Sequence, residues 1–158
     1  MDTLSNRRKI DQINDMWRDD CRIHLNRLAE ETDRHQSLHA KYSDLITVEK
    51  RELRRMMTVV EKFRFELTRF YRDGTSDPEV LVAARERGWI IPPEGKPHIK
   101  TDLRYWVDTN TEMVELQMEL ADQNDVVDLI KEILTAIKGR GYNIGQAIKM
   151  TIHNQGGN

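Results

Sequence analysis

The chain has 158 residues, 33% charged and 6% aromatic, with seven methionines against three phenylalanines and a formal net charge of −2. That length suits one unit, and so thin a stock of large apolar side chains favours long amphipathic helices over a large private core. Near-neutrality leaves nucleic acid open as a partner, because a local field can be strongly basic inside a balanced chain. Cys21 is the sole cysteine, which excludes an intrachain disulfide. Residues 1–12, MDTLSNRRKIDQ, are charged throughout, and no apolar run is long enough to cross a bilayer, so a soluble, intracellular protein without a secretory leader is expected.

In chain order, Ile10, Ile13, Trp17, Cys21, Leu25 and Leu28 form a weak helical stripe, which predicts a separate N-terminal helix within 1–40, with Cys21 packed on it and LHAKY (38–42) as a junction. All four prolines, Pro78, Pro92, Pro93 and Pro97, fall between 78 and 97 and leave two long tracts free of helix breakers. In the first tract Ile46, Leu53, Met56, Val60, Phe63, Leu67 and Phe70 recur at spacings of three and four, with Glu49 the one polar member. This is a heptad seam, and it predicts a basic helix over 43–72, capped by Ser43 and Asp44 and stopped by Asp73-Gly74. DPEVLVAARERG (77–88) reads as a short helix with Asp77 as cap, Pro78 in the first turn and Gly88 at the end. WIIPPEGKPHIK (89–100) reads as an extended connector within a 77–101 link.

A second seam, Trp106, Met113, Leu116, Leu120, Val127, Ile130, Leu134 and Ile137, is broken only at Thr109 and Gln123 and predicts an acidic helix over 102–138 ended by Gly139-Arg140-Gly141. Asn143 is positioned to cap a short C-terminal helix over 142–152, with a disordered tail over 153–158. The expected fold is all-α: one domain built on a long antiparallel pair of helices with coiled-coil-like seams, plus short N-terminal, connector and C-terminal helices.

Residues 62–74, KFRFELTRFYRDG, sort into two faces once the seam is taken as heptad positions a and d. Phe63, Leu67 and Phe70 point inward. Arg55, Lys62 and Arg69 at c, with Arg51, Phe65 and Arg72 at f, form an outer cationic stripe with an aromatic in it. Residues 41–72 hold nine Lys/Arg against five Asp/Glu (+4), whereas residues 105–135 hold one Lys against eight Asp/Glu (−7). A basic stripe of this kind tracks a phosphate backbone, with Phe65 and Tyr71 available for base stacking. The plainer reading is that outer c and f positions are charged on any soluble coiled coil, and that the basic helix complements the acidic one.

Further residues carry a resemblance. Met16-Trp17 of DMWRDD, LHAKY (38–42), FYRDGTSDPE (70–79) and AIKGRGYNIGQAI (136–148), in that order and spacing, make the chain similar to the UvsY-type recombination mediators of T-even-like bacteriophages over roughly residues 10–150. The resemblance implies an all-α homo-oligomer, a hexameric or heptameric ring, that binds single-stranded DNA. It also implies a role in loading a UvsX-type recombinase onto strands covered by the phage single-strand-binding protein, in recombination and repair, in the cytoplasm of the bacterial host. In the family, DNA binding is associated with basic residues just before an aromatic-aromatic-x-Gly turn. Phe70-Tyr71 followed by Gly74 matches that turn with one extra residue, which places Lys62 and Arg64 at family distances, with Arg69 beside them. The resemblance also implies an assembly role for the C-terminal helix, through Ile144, Ala147, Ile148 and Ile152, whereas the residues alone equally fit a cap folded back on the bundle. A structural coiled-coil scaffold without nucleic-acid binding is the alternative.

Chemistry of other kinds is not indicated. The chain has no GxxxxGK[ST] loop, and GRGYNIG (139–145) has the wrong glycine spacing for a dinucleotide fingerprint. His35 and His39 share a helical face but lie outside an HExxH pattern. The carboxylates of 108–132 are spread along one surface instead of converging, as either a docking face for a protein partner or a solvated one. No catalysis, cofactor or metal is expected.

Overall fold

The computed structural model describes residues 3–73, 77–92 and 100–155, leaving aside the side chains of 3–5 and of Leu25. Among the described residues five α-helices follow one another: α1 (Thr3–Asp20), α2 (Leu28–Asp73), α3 (Pro78–Glu86), α4 (Lys100–Asp108) and α5 (Thr111–Gln155), with a 3-10 turn at Leu25–Arg27 before α2. There is no strand among the described residues. Internal contacts gather in two compact units, one of residues 1–52 and 122–158, the other of residues 53–121.

In the first unit, α1 and the first half of α2 pack with the second half of α5 around Ile13, Leu38, Tyr42, Ile46, Val126, Val127, Ile130, Ile133, Ile137 and Ile144. Two polar links fix the direction of α5. Gln123 Nε2 donates to the Glu49 carboxylate at 2.8 Å, and Arg140 Nη2 donates to the Glu31 carboxylate. As α2 ascends from Glu31 to Glu49, α5 descends from Arg140 to Gln123, so the pair is antiparallel. Trp17 of α1 meets Tyr42 edge-on at 5.8 Å, and the Tyr42 hydroxyl donates to Asp20 at 3.1 Å. Burial and that carboxylate push the Tyr42 hydroxyl pKa up.

In the second unit, Val60, Phe63, Leu67, Phe70 and Tyr71 of α2 bury themselves with Ala84 of α3, Val107 of α4, Met113 of α5 and Trp89. The Trp89 ring packs against Phe63 at 5.9 Å and Phe70 at 5.0 Å. Arg87 lies over the same Trp89 ring at 4.2 Å and pairs with Glu66 of α2 and Glu112 of α5, each at 2.9 Å. α3 starts where its residue pattern requires. The Asp77 side chain accepts from the Glu79 amide, Pro78 occupies the first turn, and Gly88 takes φ +73, the left-handed region glycine tolerates.

Three boundaries differ from those the sequence suggests. LHAKY is no junction: α2 runs unbroken from Leu28, and its buried stripe extends upstream through Glu31, Leu38 and Tyr42. Ser43 and Asp44 lie inside the helix, where Ser43 instead offers its carbonyl to Thr47 Oγ1 at 2.8 Å. The acidic helix is two helices. Asn110 ends the α4 segment and caps α5, its side chain accepting from the Met113 amide at 3.2 Å, which turns the polar Thr109 break in the seam into a helix boundary.

Finally, α5 passes straight through Gly139-Arg140-Gly141 to Gln155, so no separate C-terminal helix begins at Asn143. Gly141 is there for closeness: a Cβ at that position would lie 2.7 Å from the His35 ring, so its absence lets α5 approach α2. Cys21 is exposed beyond the end of α1 and donates to the Arg18 carbonyl at 3.4 Å instead of packing on the stripe. Gly74, residues 93–99 of the connector and Gly156–Asn158 of the tail lie outside the described residues, as does the Leu25 side chain.

Candidate nucleic-acid interface

The second unit carries a basic face because the seam of α2 leaves it no other place to put its cations. Leu67, Phe70 and Tyr71 are sealed in the core, and a helix that buries one stripe must turn the opposite stripe to solvent. Arg55, Lys62, Phe65, Arg69 and Arg72 are all exposed. Arg51, also exposed, lies on the same helix but belongs to the first unit.

The members of the face differ in how committed they already are. Lys62 and Arg69 have no hydrogen-bond or ion-pair partner among the described residues. Arg72 pairs with its neighbour Asp73 through Nε and Nη2, both at 2.9 Å. Arg64, at the flank between the buried and exposed stripes, reaches α4 and donates from Nη1 to Asp108 Oδ1 at 2.8 Å. Glu66, the acid beside the stripe, is drawn to Arg87 at the C-terminal cap of α3, so it compensates the outer face only in part.

Phe65 is the conspicuous member: its ring is 70% exposed. Leaving so large an apolar surface in water forgoes about 1.5–3 kcal/mol that burial would supply, so the position is unexplained by folding of the monomer. Tyr71, the other aromatic considered for stacking, is instead a core residue at 0% exposure, its hydroxyl donating to the Ile90 carbonyl at 3.0 Å. The heptad frame assigns Tyr71 to a flanking position. The arrival of Trp89 and α4 over that flank, with Trp106 6.4 Å from the Tyr71 ring, is what buries it.

The chain matches the model of the family described as recombination, repair and ssDNA binding protein UvsY over residues 16–157. The chain belongs to the UvsY family. Two solved structures share the fold, both crystal structures of the bacteriophage T4 recombination mediator protein UvsY. One aligns with TM-score 0.74 at 16% identity over 92% of this chain and 97% of that one, the other with TM-score 0.71 at 14% identity over 91% and 97%. No curated protein sequence matches the chain. The UvsY family membership and the all-α fold agree with the resemblance seen in the motifs of residues 16–148.

The residues expected to mediate assembly are not equivalent. Ile144 is spent inside the first unit, 4% exposed, and Ala147 and Ile148 are half-buried, whereas Ile152 is 64% exposed. Ile144 and Ile148 line a pocket of about 130 Å³ together with Thr32, His35, Gly141 and Gly145. Met150 and Tyr142 are also exposed on this stretch of α5.

Two groups invisible to the heptad argument turn out to organise their units. Glu31 and Arg140 are buried charges on opposite helices, and Trp89 anchors the connector. Trp89 lies in a segment without periodicity, and its only sequence signal is a large aromatic directly after a helix-ending glycine. Among the described residues no group of three or more His, Cys, Asp or Glu is placed to hold a metal ion, and no helix is long and apolar enough to cross a membrane.

Proposed function

We propose that the protein is a recombination mediator that binds single-stranded DNA through the exposed face of α2 and promotes loading of a UvsX-type recombinase onto strands covered by the phage single-strand-binding protein. Family membership supports the recombination and ssDNA-binding part of this reading. The observation that carries the site is the exposed row of Arg55, Lys62, Arg69 and Arg72 with Phe65 standing out of it. The cations supply sequence-independent attraction to phosphates, and the ring supplies a stacking platform that only an unpaired base is free to use. No catalytic step and no cofactor belong to this role.

Assembly as a hexameric or heptameric ring fits the same surface, because repetition multiplies a weak single-protomer contact. Exposed Val59, Met57, Met118, Ile152 and Met150 are apolar surface that neighbours would cover. The site of action is the cytoplasm of the bacterial host.

The test is fluorescence anisotropy of a labelled oligo-dT strand against rising salt, repeated with duplex of the same length. Preference for the single strand with a steep salt dependence supports the mediator. An assembled, helical protein that binds no strand at low salt supports the alternative, a coiled-coil scaffold, for which the Arg64–Asp108 pair would be typical of a basic helix complementing an acidic neighbour. Loading is checked by recombinase filament formation on strands precoated with single-strand-binding protein, with and without this protein.

A further inference from the structure

We propose that the outer face of α4 is a second contact for single-stranded DNA: Arg64 and Arg104 hold one backbone phosphate between them, Tyr105 stacks on a base, and Asp108 occupies the phosphate position until a strand arrives. The inference rests on the reading of the protein as an ssDNA binder.

The local geometry begins with Asp108. Its Oδ1 accepts from Arg64 Nη1 at 2.8 Å and its Oδ2 accepts from Arg104 Nε at 3.3 Å, so guanidiniums from two different helices converge on the two oxygens of one anion. That is the arrangement by which arginines clasp a phosphate, whose paired oxygens present the same spacing to planar donors. All three groups remain open to water: the Arg104 side chain is 83% exposed, and Arg64 and Asp108 are each exposed by about a third. An ion pair so well solvated holds weakly, and a phosphate offering the same charge-assisted hydrogen bonds can displace the carboxylate.

The rest of α4 has the composition of the α2 stripe. Leu103, Trp106 and Val107 turn to the core, and the exposed residues are Lys100, Thr101, Arg104 and Tyr105. Lys100 and Arg104 are four apart, and so are Thr101 and Tyr105, so they share one side of the helix. The Tyr105 ring is 60% exposed and rests edge-on against Trp106 at 5.3 Å. Trp106 is partly buried against the core cluster and therefore holds the tyrosine in place while leaving it available. A nine-residue helix that already packs Leu103, Trp106 and Val107 against the core does not need a fourth large side chain in water to fold. Two cations and a presented ring, bordering a clasped anion, together describe a strand contact in which phosphate and unstacked base are both engaged.

Asp108 then sets the strength of the contact. Its carboxylate competes for both arginines and repels incoming phosphates, which lowers affinity and favours release. Base stacking on Tyr105 restricts the contact to unpaired strands.

The experiment is the salt-titrated anisotropy of a fluorescein-labelled oligo-dT strand, and of a duplex of equal length, with the full chain and the variants Arg104→Ala, Tyr105→Ala, Tyr105→Phe and Asp108→Asn. A Lys62→Ala/Arg69→Ala variant reports on α2 alone. Each α4 side chain changed is at least partly exposed, and far-UV circular dichroism confirms the helical content of each variant. Arg104→Ala should weaken binding and reduce the slope of log K against log salt by about 0.7, the loss of one phosphate contact on a single strand. Tyr105→Ala should weaken binding with the slope unchanged, and Tyr105→Phe should restore it. Asp108→Asn should tighten binding about two- to fivefold, the weight of one exposed ion pair. If the α4 variants bind like the parent while Lys62→Ala/Arg69→Ala binds less, the α4 contact is wrong and the α2 interface stands. If the parent chain binds no strand at all, both are wrong.

Discussion

Arg140 of α5 reaches Glu31 of α2 in an ion pair whose side chains are 4% and 3% exposed. The same guanidinium donates to the Arg22 carbonyl at 3.2 Å, while its Nε and Nη1 have no partner among the described residues. A buried charge stripped of its counterion is costly, whereas replacing both members by apolar residues is often neutral. Glu31→Gln and Arg140→Met should each destabilise the first unit by about 3 kcal/mol or more, and the double change Glu31→Leu/Arg140→Met should recover most of the loss. Urea denaturation followed by far-UV circular dichroism decides the matter, and equal losses in the double and single variants would contradict it.

The same cluster predicts loss of stability in acid, in two stages. Burial, then the charge of Arg140 and the neighbouring His39, hold the His35 imidazole below its ordinary value of 6.5. Burial alone would raise the Glu31 carboxyl, but the His24 amide and the Arg140 and Arg34 guanidiniums outweigh it and hold it below its ordinary 4.5. In both cases the unfolded chain binds the proton more readily than the folded one. The His35 contribution is therefore full above pH 6.5 and is lost as pH falls below it, and the Glu31 contribution is full above pH 4.5 and lost below that. Denaturation midpoints measured across this range should fall in two steps, and His35→Gln should flatten the upper one.

Glycines of α5 separate two kinds of helix position. A Cβ at Gly139 or Gly145 would meet nothing within 4 Å, whereas one at Gly141 would press on His35 at 2.7 Å. Glycine in a helix interior is worse than alanine by about 1 kcal/mol, so Gly139→Ala and Gly145→Ala should each stabilise by roughly that amount. Gly141→Ala should stabilise less or destabilise, because the His35 ring must shift. Thermal melts of the three variants side by side test the ranking.

Phe65 offers the clearest separation of binding from folding. Because its ring is 70% exposed, Phe65→Ala should leave the melting temperature nearly unchanged. If the ring is a stacking platform, the same change should cost about 1–3 kcal/mol of ssDNA affinity without altering the salt slope. An unchanged affinity would remove Phe65 from the interface.

Seam periodicity made the central pairing of α2 with α5 legible. Ile46, Val60, Phe63, Leu67 and Phe70, with Val127, Ile130 and Ile137, recur at a spacing only a buried helical stripe requires, and all are buried. The outer positions of Lys62, Phe65 and Arg69 followed from the same frame, since the face opposite a buried stripe is exposed wherever no third element covers it. The start of α3 was equally readable, because a cap depends on side chains within a turn of each other.

Apart from the Asn110 cap of α5 and the exposed Cys21, which are local, what failed involved contact with a partner far along the chain. Tyr71 resembles an exposed flank until Trp89 and α4 cover it. Glu31 and His35 look too polar to continue the stripe of α2 until Arg140 supplies the counterion and Gly141 the room. Gly139 and Gly141 read as a helix stop because local propensity disfavours them, yet packing against α2 outweighs a cost of about 1 kcal/mol each. Periodicity along one helix encodes which side must leave water. Which element arrives to cover it, and which buried charges meet there, is decided only when the chain closes on itself.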